Sequence, residues 1–287
     1  MDITDFMKPN FLIIGAGRCG TTSLCHYLAQ HPDVFIYKRK EIEFFNLDEF
    51  YAEGRRWYES LFEKGRGHKA VGEGTVNYSK QHRYPKTASR ISHHLPDARF
   101  IYITRHPLKQ LESNWKYSYL HGHEPKPFNR AIKENVDYLK TCNYLRQIQA
   151  YRRFYPDDRI LILFLEEMIS DPALVLKKCA GFLEIDNRFG DIDVTPLNRT
   201  MDDSGDRRVL SLSKKVPGYD RLRNSTPVRL KTIFKSILKW QIRDAVQWDK
   251  KIRKWVIDEI YEDTQRFLER YGKVPDFWSF ETSTHGI

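Results

Sequence analysis

The sequence predicts an α/β fold in which a central parallel sheet is flanked by helices and followed by a helical C-terminal region. A short apolar run at 11–14 ends in a glycine-rich loop, and a helical pattern follows that loop. Further apolar runs at 100–103 and 160–165 alternate with helical stretches, as parallel strands joined by crossover helices do. Near the C-terminus, residues 252–271 place apolar side chains at the spacing of one helix face.

The individual elements follow in chain order. The run Phe-Leu-Ile-Ile at 11–14 is the first strand, and Leu24, Tyr27 and Leu28 lie on one face of the helix after the loop. A weaker strand surrounds Val71. These elements predict a strand, glycine loop and helix at the start of the sheet.

The pattern changes beyond Leu183. Residues 186–206 are rich in Asp, Asn and Gly, and 214–227 continue as punctuated loop, which predicts a lid-like region. Helix resumes at about Val228, and the last helix ends before Gly272.

The composition indicates a folded globular protein. The chain has 287 residues, of which 40% are hydrophobic, and a mean hydropathy of −0.63, which excludes a disulfide miniprotein, a collagen-like chain and a broadly disordered one. No apolar run reaches the ~18 residues that cross a bilayer, and the first ten residues lack the pattern of a signal peptide. We therefore expect a cytoplasmic location. The four scattered cysteines are expected to be reduced thiols.

Positive charge is concentrated in one segment. The formal net charge is +10, and residues 201–254 contain 15 basic and 6 acidic residues. A field localised in this way attracts anions such as a nucleotide, an acidic glycan, an anionic lipid or a nucleic acid, and a solvated basic face is the alternative. Residues 228–240 form a basic amphipathic pattern, which fits a helix packed on the core, a membrane-surface helix or a face for an acidic acceptor.

The loop after the first strand has the composition of a phosphate-binding loop. It reads Gly-Ala-Gly-Arg-Cys-Gly-Thr-Thr-Ser at 15–23, where backbone N–H groups and a helix N-terminus provide a positive end for an anion, so the predicted sheet is P-loop-like. A tight strand-to-helix turn is the alternative, in which Thr21, Thr22 and Ser23 only cap the helix. A nucleotide triphosphatase would have lysine in place of Thr21, whereas the cation here is Arg18, which argues against ATP hydrolysis.

A second cation follows the strand at 100–103. Arg105 stands where a Mg²⁺-dependent triphosphate enzyme usually has an acidic residue. A planar guanidinium at a strand end suits a phosphate group, and a surface ion pair is the alternative. The loop and Arg105 together predict two positions for anions.

These residues resemble the sulfotransferases that use 3′-phosphoadenosine 5′-phosphosulfate (PAPS), particularly the carbohydrate-modifying heparan-type members and bacterial members. The segment 17–24 is similar to the loop that binds the 5′-phosphosulfate, with Arg18 where many members have lysine. The segment 105–113 resembles the 3′-phosphate site, in which an arginine and a serine hold the phosphate. The resemblance implies that Arg105 and Ser113 do so here, with the serine two turns into the following helix.

A third stretch resembles the heparan-type members. Lys-Glu-Ile-Glu-Phe-Phe at 40–45 is similar to their K-E-x-H-F-F segment, whose glutamate is the catalytic base. The resemblance implies that Glu41 is the base, with Glu43, which replaces the histidine, as its rival. The segment 165–183 is similar to the structural Y-E-D-L, D-P and F-L-G region of the family.

The sequence departs from the family in two places. Gly74 stands where heparan-type members have a lysine. The late R-K-G phosphate loop has no clear equivalent, and the candidates for it are Arg207, Arg208, Lys214 and Lys215.

The resemblance also implies a division of roles. The residues expected to bind PAPS are Arg18, Cys19, Gly20, Thr21, Thr22, Ser23, Arg105 and Ser113. Arg18 and Glu41 are the expected catalytic residues. Because a guanidinium stays protonated, Arg18 would stabilise the leaving phosphate without acting as a general acid, and Glu41 would take the acceptor proton. No metal ion is expected, since a guanidinium and N–H dipoles can neutralise the leaving group.

We expect a single sulfotransferase domain over 1–287, with a nucleotide-binding α/β core at 10–185 and a loop-rich lid and helical acceptor-side region at 186–287. The expected activity is sulfuryl transfer from PAPS to a hydroxyl group of a carbohydrate or glycolipid-like acceptor. An acidic glycan is among the expected acceptors, and no nucleic-acid partner is expected. A metal-dependent nucleotide kinase and a noncatalytic basic binding module are the alternatives.

Overall fold

The computed structural model describes residues 6–38, 41–190, 192–195 and 246–281. The five strands in these ranges are β1 (Phe11–Gly15), β2 (Val34–Ile36), β3 (Ala70–Gly74), β4 (Arg99–Thr104) and β5 (Ile160–Phe164). The α-helices before residue 121 are α1 (Thr21–Leu28), α2 (Asp48–Tyr51), α3 (Gly54–Ser60), α4 (Thr87–His94) and α5 (Pro107–Leu120). Those after it are α6 (Phe128–Glu134), α7 (Asp137–Lys140), α8 (Tyr144–Arg152), α9 (Leu165–Ser170), α10 (Pro172–Leu183) and α11 (Lys250–Arg270).

The strands form one sheet in the order β2-β3-β1-β4-β5. All four neighbouring pairs are parallel, and Phe11 of β1 pairs with Gly72 on one side and with Arg99 on the other. The predicted strands at 11–14, 100–103, 160–165 and around Val71 are thereby confirmed. The sequence analysis missed β2, because its three residues are too few to show a strand pattern.

The sheet is covered on both faces. Phe11 and Ile13 of β1 lie in one apolar cluster, whereas Leu12 and Ile14 lie in another, as the two-residue period of a strand requires. All four side chains are fully buried. Continuous apolar strands of this kind are typical of parallel sheets between two helical layers.

The chain divides into two compact units. The described part of the first comprises the residues up to His106 together with 143–195 and 263–279, and it contains the whole sheet. The described part of the second comprises 107–142, 246–262 and 280–281.

The second unit has an apolar core of its own. Trp115 of α5, Phe128 of α6 and Ile260 of α11 are buried in this core. Helices at 107–140 pack with the C-terminal helix in this cluster. The predicted single domain over 1–287, with its core at 10–185, stays a prediction.

The C-terminal region contains the predicted last helix. It spans Lys250–Arg270 and is followed by Gly272 in the left-handed region, with φ of 67°. The helix predicted to resume at Val228 lies outside the described residues. No helix in the part of the chain that the structure describes combines the length and the apolar character needed to span a bilayer.

Candidate active site

The sheet brings several polar segments to one edge. Because all its strands are parallel, the segments that follow their carboxyl ends lie at the same edge. The chain leaves β1 for β2 on one side of the sheet and later passes to β4 on the other side. Ligands of open α/β sheets bind in the crevice at such a change of direction. The loop after β1 is therefore the centre of the candidate site.

The loop begins with a close approach between two strands and the turn after β3. Gly15 has φ of 149°, and a Cβ atom there would lie 2.5 Å from Ser79 Oγ and 3.1 Å from the Tyr102 ring. Ala16 donates its N–H to the Ile103 carbonyl at 2.6 Å. Only glycine fits this position, because a side chain would meet neighbours on two sides.

Two residues in the loop adopt left-handed backbone conformations. Arg18 has φ of 66° and Gly20 has φ of 90°. For a residue with a Cβ atom this conformation costs about 1–2 kcal/mol, and such outliers concentrate at functional sites. Arg18, the residue with a Cβ atom in this conformation, is half-buried, and it is the arginine that the sequence analysis expects to bind the sulfuryl donor.

The loop leads directly into helix α1. The N-cap position is Gly20, which makes no side-chain cap, and the first turn contains no acidic residue. Thr21, Thr22 and Ser23 therefore lie inside the first turn, so the alternative interpretation of these hydroxyls as N-caps is wrong. The positive end of the helix dipole lies at the loop, where it favours an anion.

Cys19 departs from its predicted role in one respect. Its side chain is fully buried, and its N–H donates to the Ala16 carbonyl at 3.3 Å. Burial raises the pKa of the thiol to about 12. The thiol lies 3.6 Å from the Gly17 carbonyl and 3.8 Å from the Tyr144 hydroxyl. The Cys19 side chain thus supports the loop from within the core, because a buried neutral thiol is poorly suited to bind an anion.

The two predicted arginines lie near the same thiol. Besides burial and the Tyr144 hydroxyl, three charges act on the pKa of Cys19. Arg105 and Arg18 lower this pKa, and Glu166 raises it. The charges of the loop arginine and of the arginine after β4 thus both act on the same buried thiol. Two guanidinium groups and a helix N-terminus form a donor set that fits an anion with more than one charged group.

The turn after β4 is held by two residues that the sequence analysis did not assign to the site. Tyr144, the buried first residue of α8, donates its hydroxyl to the Arg105 carbonyl at 2.7 Å. Glu166 of α9 accepts the N–H of His106 at 2.8 Å. The sequence patterns of these two residues, a tyrosine at a helix start and an acid after an apolar strand, are weak. Neither pattern indicates which residue the side chain contacts.

Ser113 lies in α5, in agreement with the predicted helix, and it belongs to the second unit. Its side chain is half-buried. The pairing of Ser113 with Arg105 on one phosphate stays a prediction.

The two candidate bases lie in the segment after β2. Glu41 is half-buried, and the next residue, Ile42, donates its N–H to Thr75 Oγ1 at 3.2 Å. Glu43 has φ of 62°, and its carboxylate accepts side-chain N–H groups from Asn46 and from Asn77, the latter at 2.7 Å. The two carboxylate oxygens of Glu43 therefore connect its loop to the side chains of Asn46 and Asn77.

A third acid, Glu73, lies close by in β3. Its carboxylate is buried and accepts hydroxyl groups from Tyr58 at 2.7 Å, Tyr78 at 3.0 Å and Thr75 at 2.6 Å. Burial raises the pKa of Glu73 to about 7, against the three hydroxyl groups, which lower it. The sequence analysis missed this residue, although a charged side chain within an apolar strand indicates a specific partner set.

The remaining predicted cations lie outside the described residues. These are the candidates for the late phosphate loop, Arg207, Arg208, Lys214 and Lys215, together with the basic segment 228–240. Within the described ranges, His, Cys, Asp and Glu side chains form no group of three that could hold a metal ion.

Comparison with known proteins gives consistent matches. Residues 8–203 match the sulfotransferase domain family. The chain is 34% identical over 156 residues to the membrane-associated sulfotransferase kil1 of Dictyostelium discoideum, a match that covers 51% of this chain and 32% of that protein. It is 27% identical over 184 residues to human heparan sulfate glucosamine 3-O-sulfotransferase 6, with coverage of 61% and 52%. The chain thus spans about a third to a half of the length of these curated relatives.

A further relative and a solved structure extend the comparison. The human bifunctional heparan sulfate N-deacetylase/N-sulfotransferase 3 is 26% identical over 200 residues, with 62% of this chain and 22% of the relative covered. A sulfotransferase structure from Alicyclobacillus acidocaldarius superposes with a TM-score of 0.69 at 23% identity, and it covers 94% of this chain and 98% of its own. That likeness establishes the fold, and the match over 8–203, which exceeds half of the chain, establishes that this protein belongs to the sulfotransferase domain family.

Proposed function

We propose that this protein is a PAPS-dependent sulfotransferase that moves the sulfuryl group to a hydroxyl group of a carbohydrate or glycolipid-like acceptor. The observation that carries the proposal is the position of the glycine loop with Arg18, which leads from β1 into the N-terminus of α1, beside the segment with Arg105, which follows the neighbouring parallel strand β4. A donor with a 5′-phosphosulfate and a 3′-phosphate carries two anionic groups, and two guanidinium groups suit such a ligand.

The glycine loop and Arg18 would act on the sulfuryl donor. In sulfuryl transfer a new bond forms between the acceptor oxygen and sulfur, while the bond between sulfur and the bridging phosphate oxygen breaks. Arg18 and the N–H groups at the start of α1 would neutralise the charge that develops on that oxygen. Arg105 would orient the nucleotide through its 3′-phosphate.

On the acceptor side, the proposed base is Glu41. It would take the hydroxyl proton as the oxygen attacks, which is general base catalysis. The choice rests on the resemblance of 40–45 to the K-E-x-H-F-F segment; the rival, Glu43, accepts amide groups of Asn46 and Asn77 with its two oxygens. A base engaged in this way would have to give up bonds that hold its own loop.

The acceptor class rests on the relatives. The names of two of them specify heparan sulfate, one as a glucosamine 3-O-sulfotransferase and the other as an N-deacetylase/N-sulfotransferase. This supports a carbohydrate acceptor, and a hydroxyl group remains our proposal for the reacting group. An intracellular location likewise remains a prediction.

The deciding experiment is calorimetric titration of the full chain with 3′,5′-adenosine bisphosphate, the expected coproduct, beside 5′-AMP and Mg-ATP. We expect tight binding that requires the 3′-phosphate and needs no divalent ion. A screen with radiolabelled PAPS and heparan-type glycans, glycolipids and their O-blocked or N-blocked forms would then identify the acceptor group.

Two results would contradict the proposal. A preference for Mg-ATP, with nucleotide turnover and no sulfuryl transfer, would favour a kinase. Oligonucleotide binding with steep salt dependence and no response to the bisphosphate would favour a noncatalytic binding module.

A further inference from the structure

The proposed chemistry gives no role to Glu73, the most deeply buried of the three glutamates that are buried in the described part of the chain. Glu73 is 1% exposed and lies on β3, the strand whose carboxyl end faces the candidate site. A carboxyl group is rarely buried this deeply unless specific partners hold it. The partners of Glu73 therefore indicate what it does.

Those partners form a chain of hydrogen bonds with a direction. Tyr58 and Tyr78 both donate to Oε1 of Glu73, at 2.7 and 3.0 Å. Thr75 donates to Oε2 at 2.6 Å. Since the single hydroxyl proton of Thr75 is directed at Glu73, the lone pairs of its oxygen are left to accept.

The acceptor lone pair of Thr75 is used by the segment that carries Glu41. Ile42 donates its N–H to Thr75 Oγ1 at 3.2 Å. Ile42 is itself buried, and its peptide unit is shared with Glu41. The chain Glu73, Thr75, Ile42 thus connects the buried carboxylate to the backbone of the proposed base.

We propose that Glu73 is a positioning residue, which orients the Thr75 hydroxyl and through it fixes the backbone of Glu41 for proton transfer. The role rests on the proposed function, because it assigns Glu73 to the same reaction. Glu73 touches neither donor nor acceptor in this role. It acts through the Ile42 amide, whose hydrogen bond to Thr75 Oγ1 leads from the buried cluster to the residue next to Glu41.

The arrangement explains why an acid is needed inside the strand. In its ionised form, which is increasingly populated as the pH rises past the Glu73 pKa of about 7, the carboxylate accepts from three hydroxyl groups at once and donates to none, so the direction of the Thr75 hydroxyl is then defined. A glutamine amide in its place would present one acceptor oxygen and one donor nitrogen. The Thr75 hydroxyl could then turn, because it could accept from the nitrogen as well as donate to the oxygen. Glu43, held separately by Asn77 and Asn46, fixes the other side of Ile42.

The test compares Thr75→Val with Thr75→Ser and Glu73→Gln in the full chain. Thr141→Val is the matched control, because Thr141 is also buried and donates its hydroxyl to one carbonyl, that of Tyr138 at 2.7 Å, in the second unit. Three quantities are measured for each variant: kcat and KM with PAPS and an accepted glycan, the affinity for 3′,5′-adenosine bisphosphate, and hydrogen exchange at the Ile42 amide.

We expect Thr75→Val to lower kcat by about tenfold or more, because a displaced catalytic group loses its alignment. Hydrogen exchange at the Ile42 amide should rise by about fivefold, because this N–H group loses its hydrogen bond to Thr75. Bisphosphate affinity should stay within about twofold, because the donor site is untouched. Thr75→Ser should keep kcat and the exchange rate at the Ile42 amide close to those of the wild type. Glu73→Gln should give values between those of the wild type and Thr75→Val. Thr141→Val should change none of the three quantities.

The outcomes separate this role from the proposed function. Sulfuryl transfer by the wild-type protein with an unchanged kcat in Thr75→Val would overturn the positioning role alone. Unchanged exchange at Ile42 in that variant would overturn the hydrogen-bond chain. Absence of transfer by the wild-type protein would overturn the proposed function and this role with it.

Discussion

The Tyr144 hydroxyl donates to the carbonyl oxygen of Arg105 at 2.7 Å, from a residue that is fully buried. The same hydroxyl lies 3.8 Å from the Cys19 thiol in the glycine loop. One side chain at the start of α8 therefore contacts both segments that carry the proposed donor cations. We therefore expect the relative position of these two segments to depend on Tyr144.

Tyr144→Phe should weaken binding of 3′,5′-adenosine bisphosphate. The variant keeps the ring in the core and removes one hydrogen bond, which costs about 1 kcal/mol, or about fivefold in affinity if the bond serves the site. Titration calorimetry measures the affinity and urea unfolding the stability. Tyr155→Phe is the control, because it loses a similar buried bond to the Leu95 carbonyl at 2.8 Å. Equal affinity losses in both variants would show that Tyr144 contributes only to stability.

Arg105→Ala should reduce affinity for the bisphosphate by about 10- to 100-fold, the usual effect of a lost charge-assisted hydrogen bond pair. Affinity for 5′-AMP, which lacks the 3′-phosphate, should change far less. Calorimetry with both nucleotides gives the ratio. Arg66→Ala removes an exposed arginine paired with Glu63 and controls for net charge. Equal losses for both nucleotides would remove Arg105 from the 3′-phosphate.

Arg18→Gly and Arg18→Ala should separate backbone strain from charge. Both variants lose the guanidinium, so both should bind the bisphosphate more weakly and turn over more slowly. Only glycine relieves the left-handed backbone at φ of 66°, so Arg18→Gly should be more stable than Arg18→Ala by about 1 kcal/mol. Urea unfolding measures the difference. Equal stabilities would indicate that the loop changes conformation without the arginine.

Glu41→Gln should lower kcat by about 100-fold or more, because it removes the proposed general base. Its bisphosphate affinity should remain close to that of the wild type. Glu43→Gln should lower kcat by less than about tenfold and reduce stability, since Glu43 holds Asn46 and Asn77. Steady-state kinetics with PAPS decides between them. The opposite order of the two effects would assign the base to Glu43.

The contribution of Glu73 to stability should fall as pH rises from about 4.5 to about 7. The folded pKa of Glu73 is raised to about 7 from an ordinary value of 4.5, so in this window the unfolded chain has lost a proton that the folded protein retains. The unfolded state then binds fewer protons, and the free energy of unfolding decreases, by about 3 kcal/mol in total. Tyr58 and Tyr78, which face the carboxyl group, do not titrate there because burial raises their pKa well above 10.

Glu73→Gln provides the comparison for this window. Gln does not titrate, so the difference in unfolding free energy between wild type and variant should shrink with rising pH. Urea unfolding at pH 5, 6, 7 and 8 measures it. Parallel pH profiles would show that Glu73 keeps an ordinary pKa in the folded protein.

The main strands and the donor loop could be predicted from local pattern. Phe11–Gly15 is a continuous apolar run that ends in glycine, and the run before Arg105 is similar. Such patterns depend on neighbouring residues alone. The segments with Arg18 and Arg105 follow β1 and β4, which are parallel neighbours in the sheet, so the strand order places both segments at one sheet edge.

Long-range contacts decided the rest. The positions of Tyr144, Glu166 and Glu73 have functional meaning only because α8, α9 and β3 adjoin particular segments, which depends on how the chain packs around the sheet. The inward orientation of Cys19 and the separate core of residues 107–142 likewise result from packing. The sequence by itself therefore determined which residues carry charge and where strands end. Only the tertiary structure decided which of them meet, because burial and hydrogen bonding join residues that are far apart in the chain.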